Sequence, residues 1–162
     1  MALKIVTDSV SDIPGHLAEG LGITVVPLVL GFGDEEFRDG VDLDADTFYQ
    51  RLARSTEMPR TSTPTPAAFA AVFDRLTTDG SEVLAITLSS RLSGTYNAAL
   101  QGRSLAARPG LVEIMDSGWA AIGEGFIVMA AARAAAAGAP RGEAAEVARE
   151  TAGRVDFLAA VD

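Results

Sequence analysis

The chain has 162 residues, of which 48% are hydrophobic and 22% charged, so we expect one folded domain with a substantial core. Its formal net charge of −9 argues against nucleic-acid binding, which usually needs a basic surface. The absence of cysteine and the presence of one histidine exclude disulfides, thiol catalysis, cysteine-bound metals and multi-histidine metal sites.

Short apolar runs alternate with segments of helical spacing along the chain. The apolar runs predict strands at residues 3–7, 23–30, 83–88, 111–115 and 155–161. Capping residues and apolar spacing predict helices that begin near Pro14, Asp44 or Asp46, Thr63 or Thr65, Thr95, Trp119 and Pro140. This alternation predicts an α/β fold, with a mainly parallel sheet and helices on both of its faces.

Pro27 interrupts the second apolar run, which is unusual for a central strand. The run is therefore expected to form an edge strand or a strand that changes partner. A glycine-rich turn at residues 31–34 and a return arm at 35–38 follow. Together these features predict a small β-hairpin near residues 24–40.

No stretch of the sequence has the character of a signal peptide or a membrane span. The N-terminus enters a strand at once, and the alanine-rich stretch at residues 129–139 is too short to cross a bilayer. We therefore expect a cytoplasmic protein with no stable membrane insertion.

Hydroxyl and carboxylate side chains follow three of the predicted strands. They occur at Asp8 and Ser9, at residues 89–95, and at residues 116–117. Because ligands of α/β sheets bind outside the carboxyl ends of the strands, these segments are expected to meet at one rim. A further hydroxyl-rich segment at residues 60–66, interpreted as an extended loop before a helix, is expected to join them.

The segment around Ser93 predicts an anion-binding pocket. Ser93 is interpreted as the N-cap of the next helix, and Gly94 allows a ligand to approach the backbone closely. The first amides of a helix lack partners within that helix, so they can bind a carboxylate or a phosphate without a lysine. Taken alone, however, each hydroxyl loop is also explained as an ordinary helix cap.

Several motifs in the same order resemble one known family. They are Lys-Ile-Val-Thr-Asp-Ser at 4–9, Val-Pro-Leu at 26–28, Asp-Gly-Val-Asp at 39–42, Met-Pro-Arg-Thr-Ser-Thr-Pro-Thr-Pro at 58–66, Leu-Ser-Ser-Arg-Leu-Ser-Gly-Thr-Tyr at 88–96 and Asp-Ser at 116–117. With these motifs, the chain resembles the N-terminal domain of the DegV family of fatty-acid-binding proteins over essentially its whole length. Full-length members continue into a second domain, so residues 1–162 are expected to be the N-terminal half of a two-domain protein.

The resemblance implies that the protein binds a long-chain fatty acid and presents it to a fatty acid kinase, which forms the acyl phosphate. The protein itself would then be a carrier and not an enzyme, with no cofactor and no metal. By resemblance, the hydroxyls that hold the fatty-acid carboxylate are those of Thr61, Ser62 and Ser93. Gly94 and Thr95 would accompany them, and Asp8 and Ser9 are further supporting positions.

Two other functions remain open from the residues alone. A serine-dependent acyl hydrolase or transferase could use Ser93, although His16 is the single histidine and the Gly-x-Ser-x-Gly motif is absent. A small-anion or phosphate-binding domain would fit the helix start. However, the sequence has no Gly-x-Gly-x-x-Gly motif after the first strand and no Gly-Lys-Ser/Thr loop.

Overall fold

A four-stranded parallel sheet forms the centre of the computed structural model, which describes residues 2–156 and 158. The strands of the protein are β1 (Leu3–Asp8), β2 (Ile23–Val26), β3 (Val29–Phe32), β4 (Glu35–Arg38), β5 (Arg60–Ser62), β6 (Glu82–Thr87) and β7 (Val112–Asp116). The helices are α1 (Gly15–Gly20), α2 (Ala45–Leu52), α3 (Pro66–Thr77), α4 (Thr95–Leu105), α5 (Ala121–Ala136) and α6 (Arg141–Ala152). Single 3₁₀ turns occur at Ser9–Ser11 and Pro109–Leu111.

The central sheet has the strand order β2-β1-β6-β7, and all of its neighbouring strands are parallel. Its two faces are covered by different helices, because successive side chains of a strand point to opposite faces. Ile5 and Leu84 lie in the apolar cluster with α5 and α6, whereas Val6 and Val83 lie in the cluster with α3 and α4. The predicted parallel sheet with helices on both faces is confirmed.

The chain leaves this sheet at Pro27. Strand β2 is an edge strand that ends at Val26, and Val29 begins β3 in a separate antiparallel sheet of order β4-β3-β5. The predicted hairpin is formed by β3 and β4, which turn at Gly33 with its positive φ of 60°. Both expectations for the second apolar run are therefore confirmed. Its first half is an edge strand of the central sheet, and its second half pairs with new partners in the small sheet.

Residues 60–62 correct the prediction of a loop. They form strand β5, which pairs antiparallel with β3 through Leu30 and Thr61. The extended backbone that the nearby prolines favour is also strand geometry, and the second edge of β3 was free to accept a partner. The two hydroxyl residues of this segment, Thr61 and Ser62, are therefore fixed on a sheet.

The start of α5 differs from the sequence prediction, and the last predicted strand is not confirmed. Helix α5 begins at Ala121 and not at Trp119, because the Ser117 hydroxyl accepts a hydrogen bond from the Trp119 amide at 3.1 Å and forms a turn. The predicted strand at residues 155–161 lies mostly outside the described residues, and Val155 and Asp156 belong to no strand. Within the described part of the chain, no helix has the length and apolar character needed to cross a membrane.

Candidate functional site

The ends of three parallel strands are joined by hydrogen bonds at one rim of the central sheet. The Asp8 carboxylate at the end of β1 accepts from the Leu88 amide after β6, with Oδ2 to N at 2.9 Å. The Asp116 carboxylate at the end of β7 accepts from the Ser90 amide at 3.2 Å. The three polar segments therefore meet at the carboxyl ends of the strands, as the sequence predicted.

Ser93 lies at the start of α4, although it is not the N-cap as predicted. Gly94 is the capping residue and makes no side-chain cap bond. The Ser93 Oγ instead accepts from the Thr95 amide at 3.3 Å and shares a hydrogen bond of 3.0 Å with the Thr95 Oγ1. The chain turns earlier than expected, because the Ser93 amide donates to the Ser89 carbonyl. Ser93 is half-buried and Thr95 fully buried, so the Ser93 hydroxyl is the outer member of this pair.

The backbone at the start of α4 offers further hydrogen-bond donors. The first amide to bond within the helix is that of Ala98, which donates to the Gly94 carbonyl at 2.9 Å. The Thr95 amide donates to the Ser93 Oγ, so the amides of Tyr96 and Asn97 are the ones that this helix start leaves for a ligand. Gly94 is exposed beside them, so its backbone can be approached closely.

The residue after strand β5 lies close to the Ser93 segment. A Cβ built on Gly94 would lie 3.7 Å from the Thr63 Cγ2, which is ordinary van der Waals contact. Thr61 is two residues before Thr63, so in an extended chain their Cα atoms are at most about 7 Å apart. The two hydroxyl motifs, distant in sequence, therefore adjoin at this rim.

Thr61 and Ser62 point to opposite faces of the small sheet, because they are neighbours in a strand. Thr61 is paired with Leu30 and shares its face. Ser62 is paired with Val29 and lines a cavity on the other face with Arg60 and Gly31. Both residues are exposed. Their two side-chain hydroxyls therefore point in opposite directions.

The side chains of Asp8 and Ser9 accept hydrogen bonds from backbone amides of the protein. Asp8 is fully buried, and its Oδ1 accepts from the Val10 amide at 3.0 Å while its Oδ2 holds the Leu88 amide. The Ser9 Oγ accepts from the Leu28 amide at 3.0 Å, which links this rim to the segment between the two sheets. Asp8 and Ser9 therefore connect the end of β1 to the segment after β6 and to the segment between the two sheets.

A buried acid that the sequence analysis did not single out lies beneath the rim. Glu124 of α5 has no exposed surface, and its Oε1 accepts from the Thr7 Oγ1 at 3.0 Å. Burial, and then the charge of Asp8, raises the pKa of Glu124 to about 10. Burial also raises the pKa of Asp8 to about 6, against the lowering effect of the Leu88 and Val10 amides. The sequence signal that could have indicated this buried acid is its position as the one charged residue in the stretch Gly-Glu-Gly-Phe-Ile-Val at 123–128.

Apolar side chains are exposed next to these polar groups and on α5. Leu92, one residue before Ser93, is 71% exposed, and Phe126 of α5 is 53% exposed. Phe126 and Ile122 line a groove of about 490 Å³ between α5 and the segment after α6. The groove is not purely apolar, because Arg133, Arg154 and Asp156 also line it.

Comparison with known proteins identifies the family. The family model described as "uncharacterised protein, DegV family" matches residues 2–162. This chain belongs to the DegV family. A DegV domain-containing protein of Caldanaerobacter subterraneus is 38% identical over 160 residues, which are 99% of this chain and 56% of that relative. The chain therefore spans little more than half the length of this DegV relative.

Solved DegV structures share the fold. DegV from Bacillus subtilis, described as a fatty acid binding protein, matches with a TM-score of 0.87 and 28% identity over 94% of this chain and 54% of that one. A protein from Eubacterium ventriosum described as stearic acid-binding matches with a TM-score of 0.82 and 30% identity, over 90% of this chain and 51% of that one. The α/β fold of this DegV chain is thus shared with proteins that bind fatty acids.

Proposed function

We propose that this chain is the N-terminal domain of a carrier that binds a long-chain fatty acid by its carboxylate at the rim formed by Ser93 and Thr61. The observation that carries the proposal is the proximity of Gly94 and Thr63, since a Cβ built on Gly94 would lie 3.7 Å from the Thr63 Cγ2 and the two hydroxyl motifs are therefore close at the start of α4. The fatty acids bound by the related proteins from Bacillus subtilis and Eubacterium ventriosum support the ligand class.

The donors at this rim suit a carboxylate. Removing a carboxylate from water is costly unless hydrogen-bond donors replace the water. Ser93 and Thr61 supply hydroxyls, and the start of α4 supplies amides and the positive end of its dipole. Each hydrogen bond to the charged group contributes about 1.5–3 kcal/mol. The proposed site thus binds an acid without a lysine or an arginine.

The opposite orientation of Thr61 and Ser62 distinguishes their proposed roles. Thr61 lies two residues before Thr63, which is close to Gly94, so we assign the Thr61 hydroxyl to the carboxylate together with that of Ser93. Ser62 stays within the proposed site, and its side chain reaches the ligand only from the other face of the small sheet. Substitution of Thr61 is therefore expected to weaken binding more than substitution of Ser62.

The acyl chain would supply most of the affinity. Each buried methylene contributes about 0.8 kcal/mol, so a chain of many methylenes outweighs the hydrogen bonds of its head group. The exposed apolar side chains of Leu92 and Phe126 are candidates to contact it. The carboxylate site would then set the orientation of the ligand.

We further propose that the protein presents the acid to a fatty acid kinase and does not itself catalyse a reaction. The Ser93 hydroxyl shares its hydrogen bond with Thr95, and a nucleophilic serine would need a general base in that place. His16, the one histidine, is exposed on α1. A serine probe that labels Ser93 covalently would instead support a hydrolase or an acyltransferase.

The test is the fatty acid content and affinity of the complete protein. Mass spectrometry of an organic extract should detect a long-chain fatty acid, and Ser93→Ala or Thr61→Val should weaken binding about 10-fold or more. Ser104→Ala is the matched control, because Ser104 is an exposed hydroxyl near the other end of α4. Unchanged affinity in the Ser93, Thr61 and double variants would refute the proposed site.

A further inference from the structure

The Asp-Ser motif at residues 116–117 lies at the same rim as Ser93 but is not part of the proposed carboxylate site. Asp116 is half-buried at the end of β7, and its carboxylate accepts from two loops. The Ser90 amide lies 3.2 Å from Oδ1 and 3.3 Å from Oδ2, and the Gly118 amide lies 2.9 Å from Oδ1. Hydrogen bonds to a carboxylate are stronger than those between neutral groups. Asp116 therefore links the loop after β6 to the loop after β7.

Ser90 is part of the turn that leads to Ser93. Within this turn the Ser89 carbonyl accepts from the Leu92 amide at 3.0 Å and from the Ser93 amide at 3.2 Å. The Ser89 Oγ accepts from the Arg91 amide at 3.3 Å. These three bonds join residues of the turn to one another, so they set its shape. The position of the turn relative to the sheet depends on bonds that leave it.

Two hydrogen bonds connect the turn to the loop after β7. The Ser89 amide donates to the Trp119 carbonyl at 2.7 Å, and the Ser90 amide donates to the Asp116 carboxylate. The first bond joins two backbones, whereas the second depends on the side chain of Asp116. The Asp116 bond to Gly118 also shapes the loop that carries the Trp119 carbonyl, because Gly118 turns the chain with a positive φ of 73°. Both connections therefore depend on Asp116, one directly and one through its own loop.

The loop after β7 is itself held on two sides. The Trp119 Nε1 donates to the carbonyl of Ala152, the last residue of α6, at 3.0 Å. Helix α5, which follows the loop, is packed closely against the 3₁₀ turn after β1, since a Cβ built on Gly125 would lie 2.4 Å from the Ser11 carbonyl oxygen. The loop can therefore serve as a fixed support for the turn at Ser93.

We propose that Asp116 is a positioning residue of the carboxylate site: its side chain joins the loop after β7 to the Ser89–Ser93 turn and so holds the Ser93 hydroxyl in place for the ligand. The effect on the ligand rests on the function proposed above, whereas the effect on the turn does not. Asp116 acts through the turn and not on the ligand, because a carboxylate side chain repels a carboxylate ligand and both of its oxygens already accept from amides.

The test compares Asp116→Asn and Asp116→Ala in the complete protein, with stearate as the probe. Asparagine keeps an acceptor at Oδ1, the atom that both amides reach, whereas alanine removes it. Asp116→Ala should bind stearate about 5-fold or more weakly, and Asp116→Asn should bind it at least as tightly as wild type. Asp79→Ala is the matched control, because Asp79 also accepts from the amide two residues further on, that of Ser81 at 3.0 Å, but lies before β6 at the opposite end of the sheet.

Hydrogen exchange of the buried Ser89 amide, measured without ligand, gives a second readout. Exchange should accelerate about 5-fold or more in Asp116→Ala and stay near the wild-type rate in Asp116→Asn and Asp79→Ala. If Asp116→Ala does not fold, Asp116→Ser takes its place, because serine keeps a hydroxyl for the Gly118 amide and should give smaller changes in the same direction.

The proposal is overturned if the alanine or serine variant used keeps the wild-type exchange rate at Ser89. It is also overturned if that variant binds stearate as tightly as a wild type that binds it, or if asparagine causes as large a loss as alanine. A wild-type protein that binds no stearate, while exchange at Ser89 changes as expected, would count against the proposed function alone, because the exchange result needs no ligand.

Discussion

Replacement of Glu124 by glutamine should change how the stability of the protein depends on pH. Burial raises the pKa of Glu124 from 4.5 to about 10 in the folded protein. The folded state therefore keeps a proton that the unfolded state releases above its own pKa of 4.5. The contribution of this group to stability is complete below the unfolded pKa and is lost as the pH rises towards the folded pKa.

The size of the effect at neutral pH follows from the distance between the pH and the unfolded pKa. From 4.5 to 7 the difference is 2.5 pH units, and at about 1.36 kcal/mol per unit the loss is roughly 3.4 kcal/mol. The value at pH 7 does not depend on the folded pKa as long as that pKa lies well above 7. Glutamine has no proton to lose, so the variant should not show this decline.

Urea denaturation followed by the fluorescence of Trp119, the single tryptophan, measures the difference. The window from pH 6.5 to 9 lies above the pKa of Asp8, which is raised to about 6 and contributes a decline of the same sign at lower pH. Across this window the free energy of unfolding of Glu124→Gln should rise, relative to wild type, by about 1.4 kcal/mol per pH unit. Parallel curves for the two proteins would show that Glu124 is ionised in the folded state and would refute the argument.

Three further substitutions test the packing and the caps by thermal and urea unfolding. Gly102→Ala should cost about 1–3 kcal/mol, because its Cβ would lie 2.6 Å from the Phe69 Cβ where α3 and α4 cross; a neutral result would mean that these helices separate easily. Gly142→Ala, with nothing within 4 Å of its Cβ, should stabilise α6 by about 0.5–1 kcal/mol, and a loss would contradict the open surroundings described. Thr65→Ala should cost about 1 kcal/mol, because its hydroxyl caps α3; Thr78→Ala, at the exposed end of the same helix, is the control, and an equal loss in both would argue against the cap.

The central sheet was predictable because its strands are short apolar runs and its ends carry polar residues. Val83 and Leu84 are buried on opposite faces, which makes the run continuous and easy to recognise. Pro27 was equally informative, since proline is poorly tolerated inside a sheet. Three strand ends in one parallel sheet then had to meet at one rim.

The sequence predictions that were wrong or missing concern contacts between residues distant in the sequence. Arg60–Ser62 became a strand because β3 had a free edge, and a short polar segment gives no sign of that partner. Gly94 and not Ser93 is the N-cap of α4, because the Ser93 amide donates a hydrogen bond to the Ser89 carbonyl and Ser93 is part of the preceding turn. Glu124 looked like one acid in a helix, and only the fold buries it completely and places it against the Thr7 hydroxyl of β1. Local pattern does not encode such contacts.

The close approach of Gly125 to the Ser11 carbonyl has a consequence for any change at position 125. A methyl group there would lie 2.4 Å from this oxygen, so α5 would have to move away from the turn after β1. Phe126 is the next residue of the same helix, and its half-exposed ring would be displaced together with the backbone. An alanine at position 125 would therefore alter the apolar surface of α5 without replacing any of its apolar side chains.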